Sequence, residues 1–257
     1  MEFRGKGRAL SKKGLKAVCG SLGVGEAEVW AVLNVETRGF GFFPDRRPQI
    51  LFERHIFSRL TGGRYDARHS DLSSQRPGGY AGGAAEYLRL EKAIALDPDA
   101  ALQSASWGIG QVMGFNYQAA GYETVNAMVM DMVEDEDTQL IAMSNLIRNN
   151  NLDRALSHND WTAFARGYNG KDFQRNDYDT RLAAAHAKFK AILPDLNLRR
   201  AQAALSYLGF SPGPIDGLRG RLTTSALIRF QEKHRLPATG DLDRVTRSRL
   251  LAAAWPE

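Results

Sequence analysis

Cysteine is almost missing from this chain. Cys19 is the sole one among 257 residues, so no internal disulfide and no cysteine-based zinc site can form. Histidine is scarce as well, and no two of His55, His69, His158, His186 and His234 stand at the HExxH spacing. A zinc peptidase is thereby left without ligands, and a cysteine–histidine peptidase without its signature. No run approaches the roughly 20 apolar residues that cross a bilayer. The basic start Met1-Glu2-Phe3-Arg4-Gly5-Lys6-Gly7-Arg8 leads into no apolar h-region, so it does not read as a secretory signal. The expectation is a chain made and folded in the cytoplasm that reaches anything outside by another route. What remains is 43% hydrophobic, 25% charged and 9% aromatic. That globular balance excludes the disordered, collagenous and coiled-coil classes. At roughly 100–200 residues per domain, the length fits one large domain, or one plus a small one.

Charge divides the chain. The formal net charge is +5 and the sequence pI about 9.4, which points to an acidic partner such as nucleic acid, a membrane surface or a cell wall. Of 34 bases and 29 acids, residues 197–257 hold ten and five, leaving 24 of each before them. A neutral body, residues 1–193, thus precedes a basic module, residues 197–254. The break falls at Leu193-Pro194-Asp195, where a proline ends a long helical pattern. Arg244, Arg247 and Arg249 on one helix could follow phosphates, with steep salt dependence. No nucleic-acid motif accompanies them, so they read as a solvated face and no nucleic-acid partner is expected.

Helical periodicity dominates the body. From Glu26 to Thr37, Val29, Val32, Leu33 and Glu36 stand at offsets 0, 3, 4 and 7, one face of a helix that Gly39 stops. Residues 87–96, 136–147, 161–168 and 178–193 continue the helical reading. Residues 61–83 differ, with three Gly-Gly pairs and few aliphatics. They read as a functional loop, with room for a short hairpin, because a long structureless segment otherwise only costs entropy. The fold class is therefore mainly α with a small Gly-rich or β insert.

Glu36 occupies the apolar stripe of its helix and lies in the last turn. Desolvation and the negative end of the helix dipole both raise the pKa of a carboxyl placed there. A carboxylic acid kept protonated near neutral pH is what glycosidic bond cleavage requires of its proton donor. Position alone favours the alternative, a glutamate at the edge of the stripe neutralised by Arg38.

Three segments bear on that choice: Glu36-Thr37-Arg38-Gly39, then Ser106-Trp107-Gly108-Ile109-Gly110-Gln111-Val112-Met113, then Ala165-Arg166-Gly167-Tyr168-Asn169-Gly170. In that order they resemble the signature stretches of the goose-type lysozyme and lytic transglycosylase superfamily. Those are a Glu-Ser at a helix end, a Gly-Leu-Met-Gln-like turn and an Ala-Tyr-Asn. The nearer resemblance, over roughly residues 10–190, is to the N-acetylmuramidase family of phage endolysins. Phe52-Glu53-Arg54-His55-Ile56-Phe57 and the glycine-rich loop through Tyr80 share it. The resemblance implies a lysozyme-like fold with a sugar-binding cleft and Glu36 as general acid. It also implies Gln111, Tyr168 and Asn169 as cleft residues around that acid. Gln111 offers donors and an acceptor for an N-acetyl group, and Tyr168 a ring face and a hydroxyl. Trp107 reads either as a stacking platform for sugar or as a core tryptophan. Thr37 replaces the serine of the pattern but keeps a hydroxyl, and Gly167 replaces an alanine.

Hydrolysis needs water delivered to the anomeric carbon, usually by a second carboxylate. A lytic transglycosylase needs only the acid, because the muramic 6-hydroxyl attacks internally. Glu53, 17 residues beyond Glu36, is the leading second carboxylate, with a salt bridge to Arg54 or Arg59 as its structural alternative. Asp66 and Asp71 in the glycine-rich loop are the reserves. The nearer family being hydrolytic, the expectation is a muramidase. It would cut the β-1,4 bond between N-acetylmuramic acid and N-acetylglucosamine, with no metal or cofactor.

The basic module reads as two related half-units of helix, Gly-rich turn and helix, with a core from Leu205, Leu208, Leu227, Phe230 and Leu250. Gly209 ends its first helix, and Asp216-Gly217 turns the chain before another starts near Thr223. This three-helix pattern resembles the peptidoglycan-binding domain of cell-wall hydrolases, its Asp-Gly-x-x-Gly-x-x-Thr turn present at Asp216–Thr223. Exposed Arg219 and Arg221 beside that turn suit stem-peptide carboxylates, and the basic surface suits anionic outer-membrane lipid. Together the two resemblances imply a monomeric endolysin of phage or prophage, released by a holin-like partner that opens the membrane. Its tail would act by avidity alone. A binding protein whose catalytic body has lapsed is the non-enzymatic alternative, opposed by the presence of Glu36, Gln111, Tyr168 and Asn169.

Overall fold

The computed structural model of the protein describes residues 2–37, 39–170 and 173–256. The body opens with α1 (Lys12–Leu22), α2 (Glu26–Thr37), β1 (Ile50–Phe52), α3 (Arg54–Leu60), α4 (Glu86–Ile94) and α5 (Pro98–Gln103). It continues through β2 (Ala105–Trp107), β3 (Val112–Met113), α6 (Val125–Met132), α7 (Glu136–Asn149), α8 (Asp153–Ser157), α9 (Trp161–Asn169) and α10 (Tyr178–Ala191). The C-terminal module holds α11 (Leu196–Tyr207), α12 (Arg221–Lys233) and α13 (Arg244–Ala254). Local chemistry sets the helix starts. Ser11, Asp97, Thr124, Asp135, Asp160, Asp195 and Asp243 each accept a backbone N–H from the first turn of the helix they precede.

α2 is the axis of the body. Val29, Trp30, Ala31, Val32, Leu33 and Val35 are all buried, so its apolar surface runs almost all round, wider than the single stripe read from its spacing. Such a helix must be enclosed. α10 lies along it, with the Trp30 and Phe189 rings 6.2 Å apart, and α1 packs nearby. α2 ends at Gly39, whose φ of +91° reverses the chain and returns its N–H to the Leu33 carbonyl at 3.2 Å.

The β structure is not in the glycine-rich segment. Residues 61–83 form turns and irregular backbone without a hairpin. The sheet instead joins β1, β2 and β3 in that order, antiparallel, pairing Leu51 with Ser106 and Ser106 with Met113. Because side chains alternate across a strand, Ile50, Trp107 and Val112 share the core face, while Leu51, Ser106 and Met113 share the other. The later part of the glycine-rich segment is tied at two places. The Arg54 guanidinium donates to the carbonyls of Ser70, Arg76 and Pro77 at 2.9–3.3 Å. Buried Glu86 accepts from the Ala81, Gly82 and Phe52 N–H groups and pairs with Arg89.

The module is two copies of one bonding scheme. Fully buried Gln202 accepts from Gly217 N and donates to the Leu218 carbonyl and the Thr223 hydroxyl at 2.8, 3.0 and 3.1 Å. Gln231, equally buried, accepts from Gly240 N and donates to the Asp241 carbonyl and the Thr246 hydroxyl at the same three distances. Leu205, Leu227, Phe230 and Leu250 fill the core between the helices, and Leu208 sits half-buried at its edge.

Nor does the module hang from a linker. Arg199 of α11 has no solvent exposure and pairs with equally buried Glu136 of α7, at 2.5 and 2.8 Å. It also donates to the Gly39 carbonyl and lies 5.3 Å over each of the Trp30 and Phe40 rings. Glu136 is completed by the N–H groups of Leu10 and Gly41. Around this pair Ala9, Phe40, Phe42 and Ala203 form an apolar seam. The Tyr207 hydroxyl donates to the Gly7 carbonyl and the Trp255 indole to that of Lys6, both at 2.7 Å.

Candidate active site

Glu36 lies in the last turn of α2 and is half-buried, among neighbours supplied by all three sequence motifs. The Asn169 amide, at the end of α9, donates to its Oε1 at 3.0 Å. One residue earlier, the Tyr168 hydroxyl donates to the Gly110 carbonyl at 2.7 Å, and its ring stacks on Phe164. The Thr37 hydroxyl donates to the Ile109 carbonyl at 3.0 Å, fastening the end of α2 to the turn between β2 and β3. Burial pushes the Glu36 carboxyl up from 4.5 to about 7; the Asn169 bond and the positive charge of Arg181 pull the other way. Desolvation outweighs both. Arg38, the neutralising partner considered from sequence, lies outside the described residues. Tyr168 and Tyr178 are held above the ordinary tyrosine range by burial and by the Glu36 charge.

Glu36 opens into a groove of about 560 Å³. Thr37, Phe43, Pro44 and Gln49 line it on the body side. Gln49 directly precedes β1, and the alternation of that strand sets Gln49, Leu51 and Glu53 on the sheet face away from the core. Glu53 follows β1 as the N-cap of α3, yet its carboxylate makes no capping bond. Instead it accepts from the Tyr80 hydroxyl at 3.0 and 3.1 Å and lies 3.1 Å from His55 Nδ1. Neither arginine considered as its partner takes that role. Arg54 holds the glycine-rich loop and Arg59 lies 5.4 Å over the Phe115 ring. The loop thus delivers Tyr80 onto Glu53, and burial beside Glu53 pushes the phenol up to about 12, so it stays a donor. Gly79 is required there: its φ is +76°, and a β-carbon would stand 3.1 Å from Arg54 Nη1.

A family model described as N-acetylmuramidase matches residues 25–190, and one for a peptidoglycan binding domain matches residues 195–250. The chain belongs to the N-acetylmuramidase family. The crystal structure of Burkholderia AP3 phage endolysin is similar over 72% of this chain and 72% of that one, at 40% identity and a TM-score of 0.66. No curated protein matches the chain. The muramidase is a glycoside hydrolase that degrades peptidoglycan, with a helical peptidoglycan-binding domain behind the catalytic body.

Several sequence readings change in the muramidase structure. Trp107 is no sugar platform. It points to the core face of β2 with no solvent exposure, its indole donates to the Leu102 carbonyl, and its ring lies 5.6 Å from Phe3. Gln111 spends its amide inside the protein, donating to the Gly108 and Gln49 carbonyls and accepting from the Ser106 hydroxyl. It shapes the β2–β3 turn, in a left-handed conformation with φ +47°, and has one lone pair left for a ligand. Asp66 is engaged by the Ser58 and Ser73 hydroxyls, and Asp71 is exposed. Gly167 is explained by Leu152, whose Cδ2 stands 2.3 Å from where an alanine β-carbon would go.

Spacing alone missed Tyr80 as the partner of Glu53, and Gln139, whose Oε1 accepts from Ile109 N and holds the motif turn. In the module, Arg219 pairs with Asp241 at 2.7 Å but keeps more than half its side chain in solvent. It lines a groove of about 640 Å³ with Asp195, Asn197, Leu242 and Arg247. Arg221, also exposed, lies on an adjoining pocket that Arg219 shares.

Proposed function

We propose that Glu36 is the proton donor that cleaves the β-1,4 bond between N-acetylmuramic acid and N-acetylglucosamine. The observation that carries this is a carboxyl lining the groove, raised to about 7 by burial and oriented by Asn169. Such a group is protonated over much of the neutral range and can hand its proton to the leaving oxygen, general acid catalysis at the pH where the protein must work. Glu53 is the second carboxylate. It follows the strand that begins beside groove-lining Gln49, accepts from the Tyr80 hydroxyl with His55 Nδ1 3.1 Å away, and acts as the base that directs water to the anomeric carbon. Tyr168 and Asn169 shape the site around Glu36, Asn169 by orienting the carboxyl through its amide and Tyr168 by fastening α9 to the Gly110 carbonyl.

Arg219 and Arg221 hold the wall by pairing with stem-peptide carboxylates, Arg219 from the groove between the two half-repeats. The same positive face suits anionic lipid of an outer membrane. A phage endolysin acting as a monomer in the periplasm, after a separate holin-like protein opens the inner membrane, is the biological setting this supports. No helix among the described residues is long and apolar enough to cross a membrane.

Mass spectrometry of digested wall tests the reading, with wild type beside Glu36→Gln and Glu53→Gln. Reducing muramic ends from wild type and none from Glu36→Gln are expected. Digests carrying only 1,6-anhydro ends would show internal attack and overturn the hydrolytic role of Glu53.

A further inference from the structure

Two separate parts of the chain build the groove that holds Glu36. Thr37, Phe43, Pro44 and Gln49 face it from the body, while Ser206, Gly213, Pro214 and Ile215 face it from the C-terminal module. We propose that this edge of the module is a glycan subsite. Ser206 and the Gly213-Pro214-Ile215 loop contact the sugar strand beside the bond to be cut, so the module selects substrate within the catalytic groove besides adhering to the wall. The proposal rests on Glu36 being the acid.

Three observations support it. The first is rigidity. Arg199 and Ser206 lie seven residues apart on α11, two turns along one face. The fully buried grip of Arg199 on Glu136 and on Gly39, three residues beyond Glu36, therefore fixes the position of Ser206 relative to the acid. The second is the anchoring of the loop. Its Pro212 carbonyl accepts from the buried Thr223 hydroxyl at 3.0 Å, and Leu222 packs 3.1 Å from where a Gly213 β-carbon would stand. A lip held this way needs no ordering when ligand arrives. The third is chemistry. Ile215 and Pro214 offer aliphatic surface opposite Phe43 and Pro44, suited to the C–H face of a pyranose. The Ser206 hydroxyl and the side-chain oxygen of Gln49, whose Nε2 donates to the Phe40 carbonyl at 2.7 Å, supply hydrogen bonds at the rim. A volume of about 560 Å³ lies inside the usual range of small-ligand sites, about 300–1,000 Å³. A stem-peptide carboxylate does not fit this lip, since none of these four module residues is a cation.

The test uses the full chain with Ser206→Trp, which fills the groove, and Ile215→Ala, which empties one wall. The substrate is soluble, peptide-free glycan oligosaccharide of defined length. Each variant is expected to raise KM about fivefold, equivalent to about 1 kcal/mol, and to shift the lengths of the products. The kcat should stay within about twofold, and adsorption to purified sacculi should be unchanged. Melting temperatures show which variant is folded, and Ser206→Trp carries the test if Ile215→Ala is not. Unchanged KM and product lengths in a folded variant overturn the proposal. So does a change seen on whole wall but not on peptide-free glycan, which would mark the module as an adhesive only. Activity surviving in Glu36→Gln refutes the acid assignment instead, whatever the lip variants do.

Discussion

Arg199→Met separates a buried charge pair from an exposed one within the same module. Methionine keeps an apolar stem of similar reach but deletes the guanidinium. The losses are both contacts to Glu136, the bonds to the Gly39 carbonyl and the stacking over Trp30 and Phe40. Glu136 would remain at zero exposure with its charge uncompensated. Removing one partner of such a pair typically costs about 3–5 kcal/mol. For a chain of this size, at about 2–4 °C per kcal/mol, the midpoint should fall by about 6–20 °C. Arg219→Met is the control. Its bridge to Asp241 is as short, 2.7 Å, but both side chains are more than half exposed, so its loss should cost under about 1 kcal/mol. Adding Glu136→Gln to Arg199→Met should recover part of the loss. An amide has no charge to strand, and its one oxygen still accepts from either Leu10 or Gly41 N–H, which reach different oxygens of the carboxylate. Adding Glu136→Leu should not, because both buried donors would be orphaned at about 1–3 kcal/mol each. Differential scanning calorimetry reads the midpoints. If Arg199→Met melts no lower than Arg219→Met, the interior pair is not what holds the module to the body.

Four further outcomes follow from the site. Activity should decline as pH rises through about 7, because catalysis needs Glu36 protonated, and a pH profile of kcat/KM that stays flat to pH 9 would contradict this. The folded-state value lies above the ordinary 4.5, so the favourable effect of Glu36 on stability is complete at low pH and is lost as pH rises toward 7. Glu36→Gln should therefore stabilise the protein at pH 8 by up to about 3 kcal/mol, at 1.36 kcal/mol per pH unit, with no gain at pH 4, as read by urea unfolding. Asn169→Leu removes a bond that favours the charged carboxylate, so the alkaline limb of the activity profile should move upward, and a downward move would be the wrong sign. Tyr80→Phe deletes the hydrogen bond that orients the Glu53 carboxylate from a largely exposed phenol, so kcat should drop with the melting midpoint little changed, and an unaltered kcat would remove Glu53 and its loop from the chemistry.

What the sequence revealed depended on whether a local rule governed the residue. The span of α2 and the interior position of Glu36 follow from 3.6-residue spacing, and the three motifs could be read as one site because each ends or turns an element. Trp107 could not be placed that way. Its neighbours are polar and glycine, and only the register of β2 with β1 and β3 decides that it shares a face with Ile50 and Val112. Arg199 was counted among the bases of an apparently solvated module, since nothing local distinguishes an arginine in water from one paired 63 residues away with Glu136. The docking of the module on the body was illegible for the same reason. The half-repeats were visible in their turns, but not the paired hubs Gln202 and Gln231, because a glutamine in a helix carries no periodic signal of burial.

The seam between body and module joins the two ends of the polypeptide. The Trp255 indole reaches the Lys6 carbonyl across 249 residues, and Tyr207 reaches Gly7 across 200. Contacts of such range form late, since the whole chain must exist before they can close. Until α11 arrives, the turn after Glu36 lacks its clasp and one bank of the groove is open. Folding of the module and completion of the catalytic cleft are thereby coupled.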